Sequence, residues 1–276
     1  MEEPKKVARR DRKTKAAKEP KEDIESRFLS AKSIYCRCRL SAGRDVLDKV
    51  RPTIPEETWT TLEAMNLVMC FDLPPYPQDH ILTMHILNCW YIDQTVFILG
   101  EKEVRFDANQ AVLLIGMPNR GALAYWNKLP FCCVTARQIK SDLVNVSLRE
   151  SSIPFEELLL KFLVTNLLFP SNNFSVPQEL YSFCEDVHSF SSYNWPITVC
   201  DFLIEQVNAY TMKIRRNQPL GYINGFVFLL TLWFYERTSL VVPVVPGARL
   251  RMLLWPSKVS WNASNIHLAF KRLKPE

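Results

Sequence analysis

Among the side chains able to bind a metal or move a proton, His85 and Cys89, four residues apart, come closest to forming a site. On a helix that spacing puts both on one face, where they would supply half of a zinc site. Zinc needs three or four ligands, and no second Cys/His pair at ligand spacing occurs elsewhere in the chain. The incomplete ligand set favours a packed, hydrogen-bonded core histidine. Asp186 and His188 read as a surface pair at a helix end. With four histidines and eight cysteines a Cys-His dyad could arise in space, yet no local sequence marks one. Seven glycines include no phosphate-binding loop, since Gly116 to Gly121 lacks the Gly-Lys-Ser/Thr ending. Neither a Gly-x-Ser-x-Gly elbow nor a His-Glu-x-x-His pair is present. The residues therefore assign no catalytic role, no cofactor and no metal.

The 276-residue chain is 47% hydrophobic, enough for a sizeable core, and carries a formal charge of +5. That charge is concentrated. Residues 1 to 22 hold nine of the 34 Lys/Arg and five of the 29 acids, leaving 25 against 24 in the rest. The folded part is close to neutral, so electrostatic attraction to nucleic acid would rest on the leader or on local patches. Residues 1–24 are poor in apolar side chains and read as a disordered basic arm. Its cations Lys5, Lys6, Arg9, Arg10, Arg12 and Lys13 suit a nuclear import signal or a phosphate-contacting tail, with a solubilising tail as the third reading. No apolar stretch follows them as in a secretory signal, and the interspersed acids do not suit a transit peptide. An intracellular chain with reduced thiols is expected, and the Asn-x-Ser sequons at Asn145, Asn173 and Asn262 are then chance.

The elements that would position these residues are mostly helical. Thr95–Leu99 and Val104–Phe106 flank Gly100-Glu101-Lys102-Glu103, a hairpin with a glycine-containing turn. Asp107 caps a short helix, with Gln110 at capping-box spacing and Gly116 and Pro118 as stop signals. Upstream, Pro52 and Pro55 break the short helices of 30–73, Glu56 to Cys70 forms a periodic segment, and the prolines of Phe71–Pro77 impose an extended connector. Asp79 to Tyr91 reads as helix, with Leu82, Ile86, Cys89 and Trp90 on one face. Downstream, Thr135 caps a helix to about 148, and Pro154 opens a core helix whose polar stripe is Glu157, Lys161 and Thr165. A further helix runs from Pro177 to Val187. Asn194 caps an amphipathic helix that is apolar at Cys200, Leu203, Val207 and Tyr210 and polar at Thr198, Asp201, Glu205, Asn208 and Thr211. Lys213, Arg215 and Arg216 suit its C-terminal dipole.

The uncharged run Gly221–Tyr235 would span about 22 Å as a helix, short of the ~30 Å hydrocarbon core, so it reads as a buried helix and no membrane partner is expected. Val241–Pro246 runs extended over the surface, and the alternation Arg249, Leu250, Arg251, Met252 suggests short C-terminal strands. The fold class is mainly α: a single helical domain with a small β-hairpin at about 95–106, behind the disordered basic arm.

Several segments share a further pattern. Trp90 ends an apolar helix; Phe97, Gly100 and Glu101 follow, then Val104-Arg-Phe106 and a short helix closed by Gly116, Pro118 and Gly121. The pattern resumes at Pro170, at Tyr193-Asn194-Trp195, and from Gly225 through Trp233 to Glu236. Together these segments resemble the plant mobile domain, also called aminotransferase-like, a helical module of plant transposable elements and of host genes derived from them. The resemblance is best over 60–245, within a module spanning 25–246 that is followed by a C-terminal extension at 247–276. The related module that precedes SUMO-type cysteine proteases in other plant mobile-element proteins is equally similar, although the His, Asp and Cys motifs of that protease are missing. No lysine stands out as a cofactor anchor. The resemblance implies a nuclear, non-enzymatic role in transposon biology, silencing or genome maintenance. Nuclear proteins, or nucleic acid through the basic arm, would be its partners. The alternatives are a direct DNA-binding accessory of a mobile element, a degenerate enzyme, or an element-borne reading frame without a host role.

Overall fold

Ile34, Cys36 and Cys38 are buried while Tyr35 is exposed, the alternation of a strand. Tyr35–Cys36 (β1) pairs in parallel with Tyr222–Ile223 far along the chain. The computed structural model describes residues 34–36, 38, 40–73, 79–124, 135–146, 154–171, 178–248, 250–256, 259 and 261–273, which belong to one compact unit, Ser33–Glu276. The basic arm, most of the proline connector and the aromatic segment after Ala124 lie outside the described residues. The architecture is mainly α with a two-stranded and a three-stranded sheet, and no described helix is long and apolar enough to cross a membrane.

Helix α1 (Leu40–Val50) buries Val46, Leu47 and Val50 and gives way to a 3-10 turn at Arg51–Thr53 around Pro52. Helix α2 (Glu56–Ala64) starts with Glu56 and Glu57, whose charges favour a helix N-terminus. The periodic segment expected to reach Cys70 breaks at Asn66, which is left-handed (φ 57°), a conformation asparagine tolerates, and a 3-10 turn covers Leu67–Phe71. Asp79 caps α3 (His80–Asn88) by accepting from Leu82 N at 2.9 Å. That helix is shorter than expected. Trp90–Tyr91 leaves it to become β2, pairing antiparallel with β3 (Val96–Leu99), which pairs in turn with β4 (Lys102–Val104). The β3–β4 loop is only Gly100-Glu101, with Gly100 at φ 63°, the position at which a II′ turn carries glycine.

Asp107 caps α4 (Ala108–Ile115), accepting from Asn109 N and Gln110 N at 3.0 and 3.2 Å. The side chain of Gln110 turns away from the cap and accepts from Arg237 Nη2 at 2.7 Å. Thr135 caps α5 (Ala136–Val146) through Gln138 N at 3.2 Å. Helix α6 (Phe155–Leu163) continues into a π turn at Val164–Leu168, where Thr165 meets the Tyr181 hydroxyl at 3.2 Å and Glu157 pairs with Lys161. The expected polar stripe is thus the seam that receives the next segment. That segment is two helices rather than one, α7 (Gln178–Ser182) and α8 (Val187–Ser191), because Asp186 caps a new start.

Helix α9 (Trp195–Arg215) begins under Asn194 and packs on α4. Thr198 and Thr211, expected on its polar face, are buried, each donating to the carbonyl four residues back. Tyr222–Ile223 (β5) takes the start of the uncharged run, and α10 (Phe228–Glu236) is buried on all sides through Tyr235. Among the described residues no C-terminal strand forms: Arg251–Leu254 is a 3-10 turn around fully buried Met252. Helix α11 (Ala263–Lys271) follows, closed by a reciprocal capping box between Asn262 and Asn265. It lies on α3, stacking Phe270 against Phe234 at 4.9 Å. Val242, Val244 and Val245 are exposed, as an extended surface run requires.

Candidate functional site

The residues that carry the resemblance gather into two aromatic clusters and one loop contact. Trp90 leaves α3 pointing inward, donates its indole N–H to Asn208 Oδ1 at 2.8 Å, and packs on Phe97 at 4.6 Å. Phe97 meets Trp233 at 4.8 Å, and Phe106 meets it edge-on at 5.7 Å. Strand pairing places Trp90 opposite Phe97 and Phe97 opposite Val104, so the hairpin lays its inner face on α10. The second cluster surrounds Trp195, which stacks on Phe190 at 4.2 Å, donates to Phe190 O at 2.8 Å, and touches Phe169, Phe183 and Tyr193.

The loop after α4 seats against the start of α9, beside the second cluster. Gly116 closes the helix at φ 69°, with Asn66 Nδ2 donating to Ile115 O at 3.4 Å beside it. A Cβ on Gly116 would lie 2.2 Å from that nitrogen. Ala122 bridges the cap of α9: its N–H donates to Ser192 O at 2.9 Å and its carbonyl accepts from Asn194 N at 2.7 Å. Asn194 also donates its side-chain amide to Asn119 at 2.9 Å. Gly121, at φ 105°, approaches so closely that a Cβ would sit 2.1 Å from Ser192 O. Pro170 O accepts from Gly225 N at 2.8 Å, tying the end of the π turn to the entry of α10. Pro118 is half-buried, Glu101 is exposed, and Glu236 pairs with Arg251 at 3.0 Å. Asn66 bore no sequence signal, since its partner Ile115 lies 49 residues on. Ser192 read only as part of the segment leading to Trp195, and Asn208 only as part of the polar face of α9, because their partners Ala122 and Trp90 are distant in the chain.

The residues with chemical potential go elsewhere. His85 Nδ1 bonds Ile81 O at 3.0 Å, its ring packs on Phe270, and Cys89 Sγ donates to His85 O at 3.3 Å, so the pair is engaged within its own helix. No group of three or more His, Cys, Asp or Glu among the described residues could hold a metal ion. Asp186 accepts from Ser189 Oγ, His188 N and Ser189 N, and these bonds hold its carboxyl below the usual range. Burial pushes the thiols of Cys38, Cys70 and Cys200 up to about 12, which leaves them protonated and unreactive near neutral pH. Arg44, Cys70, Phe162, Asn166 and Leu167 border a depression of about 350 Å³, mouth included. Its one cation is committed, since Arg44 donates to Leu73 O and Asp48. The candidate import cations Lys5, Lys6, Arg9, Arg10, Arg12 and Lys13 lie outside the described residues. Comparison with protein-family models, curated proteins and solved structures yields no match.

Proposed function

We propose that the chain is a non-enzymatic nuclear interaction module of the plant-mobile-domain type, associated with transposon biology, silencing or genome maintenance. One observation carries this reading: the separated segments that resemble the family are the ones that meet in space. Ala122 seats on Ser192 and Asn194, Pro170 holds Gly225, and Trp90, Phe97 and Trp233 pack together. Such convergence is what a fold signature requires, and it supports treating the resemblance as one pattern. These residues make a framework, with partners left to the surface and to the basic arm. A direct DNA-binding accessory is the second reading, favoured by the surplus charge of residues 1 to 22.

The test is where the intact chain goes in plant cells. A fluorescently tagged full chain accumulates in the nucleus, and replacing Lys5, Lys6, Arg9, Arg10, Arg12 and Lys13 with Gln lowers that accumulation several-fold. A full chain excluded from the nucleus would overturn the nuclear reading.

A further inference from the structure

Helix α11 is held to the body by apolar side chains. Ile266 is fully buried, Phe270 is half-buried, and Leu273, just past the helix end, is buried too, whereas Asn265, Leu268 and Lys271 are exposed. Phe270 stacks on Phe234 of α10 with planes inclined by 8° and meets the His85 ring of α3 at 5.3 Å. Ile266, Phe270 and Leu273 stand at i, i+4 and i+7, the anchor pattern of an amphipathic helix lying in a groove. That groove is the furrow where α3 meets α10.

Among the described residues, no side-chain hydrogen bond or ion pair reinforces that seat. The N-terminal cap of α11 is its own, Asn262 and Asn265 exchanging bonds at 2.8 Å, and His267, Lys271 and Arg272 form no ion pair there. Helix α9, by contrast, is tied through Asn208 to Trp90 and through Arg215 to Asp93. The nine residues of α11 are too few for an isolated helix to persist in water, so it is helical because the groove holds it. An element with few buried side chains and no polar tie opens at the low end of the local stability scale, well before α10, which is buried through Tyr235.

We propose that the α3–α10 groove is a protein-interaction site, which α11 covers until an amphipathic helix of a partner protein, apolar at i, i+4 and i+7, takes its place. The helix already seated there defines the occupant: a branched aliphatic side chain at the first anchor, an aromatic ring at the second to lie on Phe234 and His85, and an aliphatic one at the third. Nucleic acid offers no such stripe. Because the open state is the minor one, the partner's apparent affinity is lowered in proportion, and release of α11 becomes the step that controls binding. The inference rests on the interaction-module reading and names its partner class. Nuclear accumulation and peptide binding are separate measurements, so either can fail without the other.

The probe is a labelled peptide copying Trp261 to Glu276, titrated by fluorescence anisotropy into the full chain and into the full chain carrying Ile266→Asp. The new charge unseats α11, so the variant keeps a cooperative melt and binds the peptide about tenfold or more tightly than the wild type, whose groove is free only in its minor open state. The same substitution in the peptide removes binding. Adding His85→Ala to the variant chain weakens binding about threefold or more, because the contact with Phe270 is lost. Hydrogen exchange on the unaltered chain reads the opening itself: amides of α11 exchange about a hundredfold or more faster than those of α10. Loss of the cooperative melt in the Ile266→Asp chain would make α11 part of the core, and exchange in α11 as slow as in α10 would show that it never opens alone; either overturns the proposal. So would equal peptide affinity for wild type and variant, or binding that ignores Ile266→Asp in the peptide or His85→Ala in the chain.

Discussion

Trp195 and Trp233 each centre an aromatic cluster and are almost wholly buried, yet their indole N–H groups meet different ends. Trp195 donates to the carbonyl of Phe190, the residue whose ring it stacks upon. Trp233 has no acceptor for its N–H among the described residues. A net hydrogen bond is worth about 1 kcal/mol, and a buried donor left without one costs about 1 to 3 kcal/mol. The first cluster is therefore specified by direction as well as volume, fixing how the start of α9 meets the loop after α4. The second takes its one indole hydrogen bond among the described residues from Trp90, which donates to Asn208, while Trp233 itself adds volume between the hairpin and α10.

The contrast can be broken most severely by charge. Leu163→Asp in α6 or Trp233→Asp in α10 should abolish the cooperative thermal melt, because an unpaired buried carboxylate costs on the order of 3 kcal/mol or more. A soluble variant with an unchanged melting profile would mean that the core lies elsewhere. Gly121→Ala comes next, with an expected loss on the order of 2 kcal/mol, since its Cβ would strike backbone at Ser192 in a conformation that disfavours side chains. Gly221→Ala, where nothing lies within 4 Å of the added atom, is its control and should shift stability by no more than about 0.5 kcal/mol. Equal melts for the two glycine variants would remove the loop contact from the account.

A smaller effect follows from pH. Burial raises Tyr235 from 10.0 to about 12 and the Cys38 and Cys70 thiols from 9.0 to about 12. Folded-state values above the unfolded ones mean that this stability is present below pH ~9 and is lost as pH climbs through the folded values. Melting temperature should therefore fall between about pH 9 and 12 at constant ionic strength. A flat profile across that window would show these groups to be solvated.

Much of this framework was legible where the signal was local. Asp107 and Asn194 cap the helices they announce, and Gly100 and Gly116 turn where expected. What failed depended on distant partners or on segments too short to show a period. Trp90 and Tyr91 continue the helical pattern of α3, but pairing with Val96 and Phe97 makes them strand. The uncharged run to Tyr235 hides β5, whose partner among the described residues is β1. The alternation of Leu250, Arg251 and Met252 is compatible with a strand, yet burying Met252 in a 3-10 turn wins. Asn262, dismissed with the sequons, carries a readable cap through Asn265 three residues on. The motif residues of the candidate site could be picked out along the chain, but which of them touch could not, and nothing local marks the two-residue ladder of β1 and β5.

The central claim is that the residues of the resemblance act by holding the fold, each through the contacts it makes. The most direct test is a denaturant titration of the full chain carrying Trp195→Phe beside one carrying Trp233→Phe. Both lose similar volume, but only Trp195→Phe gives up an indole hydrogen bond, the one to the Phe190 carbonyl, which keeps its longer bond from Tyr193 N at 3.4 Å, so it should be the less stable by about 1 kcal/mol. Equal losses, or a greater loss at Trp233, would contradict the account.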